Sequence, residues 1–258
     1  MLVLCFGMQK SGSTLAFELV KGILESAGHL QPFLRNDRFE PGDPKARSSR
    51  NFIGTVTREK IETLVREIGS RRAVAVKTHG GFPDAMFPLL EEMQAAGALR
   101  VVASYRDPRD TCLSLLDAAE RNRNLGHGAF RELRSLDDAA AFVRASIRRF
   151  VKWGCLHGTL RLGYDTVAFE PQRAVGLLEK SLGILSDPER AIRYAFESAS
   201  TLKNRARRGR HSDELTPGEA ERLTAEFRRF LHFACERDDQ GWYDRQRAAI
   251  LMRIAARN

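Results

Sequence analysis

Apolar residues recur along this chain in two rhythms. Short unbroken runs mark buried strands: Leu2 to Phe6, the Ala-Val-Ala-Val within Arg72 to Val76, Arg100 to Ser104, and Tyr164 to Phe169. Between them the apolar positions fall three or four apart. Leu15, Phe17, Leu19, Val20, Ile23 and Leu24 predict a helix that ends near Gly28. Thr57 can cap a second helix running to about Ile68, a short one covers Pro88 to Ala96, and another begins near Pro108. Ser135 with Asp138 approximates a capping box for a long amphipathic helix to about Cys155. Helices follow from Pro171 to about Leu182 and from Asp187-Pro188. Thr216-Pro217-Gly218-Glu219 opens the last large helix, to about Cys235, with Trp242 and Tyr243 packing the tail. Strands alternating with helices predict an α/β fold: one domain spanning 1–258, in three layers, with a central parallel sheet covered on both faces. Two segments lack periodicity. Gln31 to Asn51 reads as a long loop, either a wall for a bound ligand or a plain excursion, and Glu120 to Leu136 as a mobile connection.

Composition narrows the function. The 258 residues are 43% hydrophobic and 29% charged, the balance of a globular chain with a substantial core. No apolar run approaches the roughly 18 residues of a membrane span. Leu2 to Phe6 is too short, and lacks the basic flank, for a signal peptide, so a cytoplasmic location is expected. Cys5, Cys112, Cys155 and Cys235 are scattered without metal spacing and read as buried free thiols. The formal charge of +9 is compatible with nucleic acid, but much of it is arginine dispersed along helices. Two clusters, Lys45 to Arg50 and Arg205 to Arg210, would serve a small polyanion equally well. Neither zinc-finger spacing nor a basic region joined to heptads is present, so no nucleic-acid partner is expected.

The first strand and helix are joined by a polar turn, Met8-Gln9-Lys10-Ser11-Gly12-Ser13-Thr14. Strand, turn and helix start form an anion-binding device. Unpaired N–H groups converge there, and the dipole adds about half a positive charge. Lys10 supplies a mobile cation; Ser11, Ser13 and Thr14 supply hydroxyls. The turn is not the triphosphate loop G-x-x-x-x-G-K-[ST], since Ser13 stands where that pattern has lysine. Two other strand ends carry charge: Lys77-Thr78-His79, followed by Gly80-Gly81, and Tyr105-Arg106-Asp107-Pro108-Arg109-Asp110. In parallel α/β folds, ligands gather beyond the carboxyl ends of strands. Ser114 lies eight residues beyond Arg106, almost two turns into a helix entered near Pro108, close enough for the pair to hold one bound group. The polar run Asn204 to Asp213, broken at Gly209, is suited to wrapping an anion.

Together these motifs resemble the PAPS-dependent sulfotransferases, which move a sulfuryl group from 3'-phosphoadenosine 5'-phosphosulfate (PAPS) to an alcohol, phenol or amine. Gln9-Lys-Ser-Gly-Ser-Thr14 is similar to their 5'-phosphosulfate loop, P-K-S-G-T-T. Arg106-Asp-Pro-Arg-Asp110 with Ser114 is similar to their 3'-phosphate motif, and Lys77-Thr78-His79 to the K-T-H that carries the catalytic histidine. Phe169-Glu170 falls where the cytosolic branch has Y-E-D, and Arg207-Arg208-Gly209 near its late R-K-G. The likeness spans residues 1 to about 215. It implies that Lys10, Ser11, Gly12, Ser13 and Thr14 hold the 5'-phosphosulfate. Arg106 and Ser114 would hold the 3'-phosphate, with Phe169, Arg207, Arg208 and Gly209 also on the cofactor. His79 would act as general base, with Lys77 and Lys10 stabilising the transferring group.

The resemblance further implies PAPS as donor, PAP (the 3',5'-bisphosphate) as product, no metal, and a small hydroxylated acceptor. No nucleic-acid or membrane partner is implied. A neutral imidazole with a pKa near 6.5 favours His79 over Lys77 as base. Several positions depart from the pattern: Gln9 replaces proline, Leu15 replaces an aromatic that commonly stacks on adenine, Phe169 replaces tyrosine, and His211-Ser212-Asp213 stand where G-D-W often follows. The competing readings are a phosphate-loop kinase of a small molecule and a non-catalytic binder of nucleotides or RNA.

Overall fold

The computed structural model describes residues 1–32, 34, 51–69, 72–126, 128–198 and 206–256. Most of the loop within Gln31 to Asn51, including the whole Lys45 to Arg50 cluster, therefore lies outside the described residues, as does Arg205. The architecture is the expected α/β one. A five-stranded sheet has the order β2-β3-β1-β4-β5, and every neighbouring pair is parallel. Its strands are β1 (Leu2–Gly7), β2 (Phe52–Ile53), β3 (Val74–Thr78), β4 (Leu99–Tyr105) and β5 (Leu160–Gly163).

Strand β1 sits in the middle and buries both faces. Leu2, Leu4 and Phe6 enter one apolar cluster, while Val3 and Cys5 enter the other. This is the period-two alternation of a central strand covered on each side. The first cluster is completed by α2 (Arg58–Ile68), α3 (Phe87–Ala95), α4 (Pro108–Asn124), α5 (Leu136–Gly154), α10 (Pro217–Phe230) and α11 (Gln240–Ala255). The second is completed by α1 (Ser13–Ser26), α6 (Tyr164–Phe169), α7 (Pro171–Leu182) and α8 (Pro188–Arg193). Short α9 (Arg210–Glu214) lies against α4, where Arg210 pairs with Asp117 at 2.9 Å.

The caps expected from sequence form. Thr57 accepts from Lys60, and Ser135 and Thr216 close reciprocal capping boxes with Asp138 and Glu219. Cys5, Cys112 and Cys155 are buried free thiols, and Cys235 is half-buried.

Three expectations need correction. Tyr164 to Phe169 is helix α6, and the strand is the preceding Leu160–Gly163. A six-residue apolar run fits either state by pattern, and tertiary packing chooses: the helix buries Val167 and sets Tyr164 against the turn after β1. The segment from Glu120 is not wholly a connection, because α4 runs on to Asn124. Side chains of that last turn reach the chain beyond it: Asn122 donates to the carbonyl of Ala129 at 2.5 Å, and Arg123 to that of Leu133 at 2.6 Å. The last large helix leaves α geometry at Phe230, and Leu231–Glu236 forms a π turn before α11. No described helix is long and apolar enough to cross a membrane.

Candidate active site

The order β3-β1-β4 places three strand ends side by side, with Phe6 opposite Thr78 and Gly7 opposite Ser104. The Lys10 turn, the Lys77–His79 segment and Arg106 therefore meet at one edge, where α1 leaves the sheet. Close packing dictates the turn. A Cβ at Gly7 would come within 2.1 Å of the Ser13 Cβ, so only glycine lets β1 end against the start of α1. Lys10 and Gly12 take positive φ (66° and 74°), folding the chain back on itself. Ser11 is fully buried and works inward: its hydroxyl donates to the Met8 carbonyl at 2.6 Å, as does its N–H at 3.2 Å. Helix α1 then begins with no side-chain cap and no acid in its first turn. Its leading N–H groups and dipole are left for something else.

At the end of β3, Lys77 donates to the Thr14 hydroxyl at 2.7 Å and so touches the turn through a neighbour. Burial lowers its pKa to about 8, against the pull of Glu18. His79 Nδ1 lies 2.6 Å from the Gly7 carbonyl. A carbonyl only accepts, so Nδ1 carries the proton and Nε2 is the basic nitrogen. Burial, reinforced by Lys77 and Arg149, lowers the pKa of His79 to about 3, and the ring is neutral at ordinary pH. The backbone behind it is fixed. Thr78 donates to the Gly54 carbonyl at 2.7 Å, Trp153 donates to that of Gly80 at 3.0 Å, and any Cβ at Gly80 would lie 2.3 Å from the Gly54 oxygen.

At the end of β4, Arg106 is only 6% exposed. One Nη donates to Asp110 at 3.3 Å and to the Arg207 carbonyl at 2.9 Å, and the guanidinium lies 4.1 Å from the centre of the Tyr164 ring. Its Nε is buried with no hydrogen-bond partner among the described residues. Such a donor costs about 1–3 kcal/mol unless a ligand answers it. Asp110 also accepts from the backbone N–H of His211 at 2.9 Å and faces its Nδ1 at 2.8 Å. Burial opposes ionisation of Asp110, but His211 and Arg106 outweigh it and hold its pKa at about 2. The 206–214 segment is thereby fastened to α4.

A cavity of about 380 Å³ joins these parts and is lined by Lys10, Gly12, Ser13, Thr14, His79, Arg106 and Ser114. Its polar end is cationic: burial and Arg121 lower the pKa of Lys10, Asp117 opposes them and Arg106 adds to them, so an arriving anion would relieve repulsion. The remaining sequence-derived candidates stand outside the lining. Besides Ser11 and Lys77, Phe169 carries the Arg208 guanidinium 4.6 Å above its ring, and Arg208 reaches Glu170 at 3.2 Å. Arg207 turns its side chain to Asp213 at 2.7 Å, and Gly209 (φ 59°) is the N-cap of α9. The apolar wall consists of Leu15, Phe130, Tyr164, Ala168 and Phe196, of which sequence reasoning noted only Leu15. The Tyr-Asp-Thr stretch gives no signal of its own, because Tyr164 reaches the site only when that stretch is helical. Phe196 arrives on a π turn, Tyr194–Ser198, that no periodicity marks. Among the described residues, no group of three or more His, Cys, Asp or Glu side chains could hold a metal ion.

No family model matches the chain, and no curated protein does. Solved structures do. Mouse sulfotransferase SULT7A1 complexed with PAP is 15% identical, with a TM-score of 0.55 over 95% of this chain and 88% of that one. Retinol dehydratase in complex with androsterone and inactive cofactor PAP is 16% identical, with a TM-score of 0.52 over 89% of this chain and 80% of that one. At such identities the likeness is one of fold, and this chain has the fold that these two proteins share.

Proposed function

We propose that the protein transfers a sulfuryl group from PAPS to a hydroxyl of a small-molecule acceptor. The observation that carries this reading is the single cavity in which the Lys10 turn, His79, Arg106 and Ser114 meet. The chemistry of its donors fits a bisphosphorylated adenosine: an uncapped helix start at one end, an arginine whose buried N–H has no partner among the described residues at the other, and apolar side chains at Leu15, Ala168 and Phe196 for a purine. That the solved relatives in fold were complexed with PAP agrees with it.

In this reading the bound donor supplies a sulfuryl group already activated on phosphate. The chain's own residues align, neutralise and deprotonate. The turn's N–H groups, Ser13, Thr14 and Lys10 hold the 5' end, where charge grows as the leaving phosphate departs. Lys77 fixes the Thr14 hydroxyl and adds charge from behind. Arg106 and Ser114 hold the 3'-phosphate. His79 Nε2 takes the acceptor's proton, with Nδ1 pinned to Gly7 so that the tautomer is settled beforehand. Ser11 shapes the turn, and Arg207 contributes through its carbonyl, which orients Arg106.

Calorimetric titration with PAP tests the reading. Binding without magnesium, retained within a few-fold in His79→Ala while turnover falls by roughly 10²–10⁴, is the expected result. Binding of magnesium–ATP in preference to PAP, or salt-dependent binding of oligonucleotides alone, overturns it.

A further inference from the structure

A second cavity, about 790 Å³, lies on the far side of α5, between that helix, α10 and α11. Its composition is unlike the first. Helix α5 presents two adjacent stripes: Ile147 and Val151, one turn apart, and Arg144 and Arg148, likewise one turn apart. Helix α10 repeats the scheme, with buried Phe227 and Phe230 enclosing exposed Arg228 and Arg229. On α11, Trp242, Gln246, Ile250 and Arg253 follow one face at helical spacing. Each helix thus gives an apolar floor and a cationic rim to the same hollow.

The cations are largely unanswered. Arg144 pairs with Glu226, and Lys152 with Asp84. Arg148, Arg228, Arg229 and Arg253 have no acidic partner among the described residues. At the floor, Trp242 is 6% exposed, and its indole N–H is buried without a hydrogen-bond partner among the described residues. A stable fold gains nothing from an apolar hollow left open beneath uncompensated arginines. One molecule satisfies both halves: an apolar chain for the floor and a negative head for the rim.

The geometry points to a binding site for a monomeric single-chain amphiphilic anion, the class of a medium- or long-chain carboxylate. The volume suits such an occupant, since small-molecule sites run to about 300–1,000 Å³. Burial of each methylene contributes about 0.8 kcal/mol, so chain length should govern affinity. The head group meets arginine, which suits a carboxylate through paired N–H donors. This site is independent of the sulfuryl-transfer reading, because α5 separates the two cavities.

The probe is sodium dodecanoate, titrated calorimetrically into the full chain below its micelle concentration. One saturable site is expected, with dodecanol, of equal chain length and no charge, weaker by about tenfold or more. Arg228→Gln/Arg253→Gln, at exposed positions that leave the core intact, should lower dodecanoate affinity by about tenfold while leaving dodecanol unchanged. Gln246→Trp should fill the hollow and abolish both. Absence of saturable binding overturns the proposal, as does dodecanoate affinity unaltered in Gln246→Trp. Binding to phosphatidylglycerol vesicles without binding of the monomer would replace it with a membrane-surface reading. A dimer that Ile250→Glu dissociates would replace it with a second copy of the chain.

Discussion

The two ends of the candidate active site are made from different material. The Lys10 turn is backbone: positive φ at Lys10 and Gly12, a glycine at position 7 with no room for a side chain, and a helix start without cap or acid. The Arg106 end is side chains. A guanidinium rests on Tyr164, a carboxylate serves both Arg106 and His211, and a carbonyl arrives from a segment a hundred residues away in sequence. A backbone cradle costs little to hold ready, because the fold has already fixed its N–H groups. A side-chain cradle depends on every member being in place, and here one donor has no partner among the described residues. The first end should therefore fail when the backbone is forced to move, and the second when a charge is removed.

The largest effect is expected at the turn. Alanine at Gly12 must adopt φ +74°, with its Cβ 2.7 Å from the Tyr164 ring. The left-handed conformation alone costs about 1–2 kcal/mol, and the ring contact adds to it. The turn should relax and PAP affinity fall by roughly two orders of magnitude, measured by calorimetry. Unchanged affinity would show that the backbone is not what grips the ligand. At the other end, Arg106→Ala removes charge-assisted bonds of about 1.5–3 kcal/mol, so the preference for PAP over AMP should shrink by about ten- to a hundredfold. AMP affinity itself should change much less. Equal losses for both ligands would move Arg106 away from the 3'-phosphate.

The same division explains what is legible in the sequence. A strand, a Lys-Ser-Gly-Ser turn and an amphipathic helix are local, and their geometry follows from neighbouring residues, so β1, the turn and α1 are readable in place. The central position of β1 is readable too, since Leu2 to Phe6 is apolar on both faces. The Arg106 end is half readable. Arg106, just before α4, and Ser114, within it, are visible in one stretch of sequence, but Asp110–His211 spans 101 positions and no periodicity encodes it. Arg207 and Arg208 are expected on the cofactor from their likeness to the late R-K-G. No local pattern shows that their guanidinium groups reach Asp213 and Glu170. Helix α6 reads as a strand because six residues give pattern too few repeats to decide.

A smaller effect separates the two strand-end groups behind the turn. The pKa of His79 lies near 3 and that of Lys77 near 8, both lowered chiefly by burial. In the free protein kcat/KM should therefore show no acidic limb near the ordinary histidine value and should fall above about 8 as Lys77 loses its proton. The stability sign is opposite to that of a charged, paired histidine. Between the unfolded value of 6.5 and the folded value near 3, the unfolded chain binds a proton that the folded one refuses, so stability drops as pH falls through that window. The slope contributed is at most about 1.4 kcal/mol per pH unit. Melting temperatures followed from pH 7 to about 4 should thus fall more steeply for the wild type than for His79→Gln. Parallel curves would mean that the folded ring takes up its proton where the unfolded one does, so that burial does not hold it neutral below pH 6.5.

The smallest effect sharpens the comparison by testing its boundary. Arg208 is expected on the cofactor because of its place beside Gly209, yet it is exposed, reaches Glu170 and lies over Phe169 outside the cavity. Exposed pairs of this kind are well solvated in both states and contribute little. Arg208→Ala should change PAP affinity by less than about threefold, with the residual change vanishing in added salt as long-range attraction is screened. A larger, salt-resistant loss would mean that Arg208 leaves Glu170 when the ligand arrives. The Arg106 end would then be assembled by binding, unlike the turn, which is complete without it.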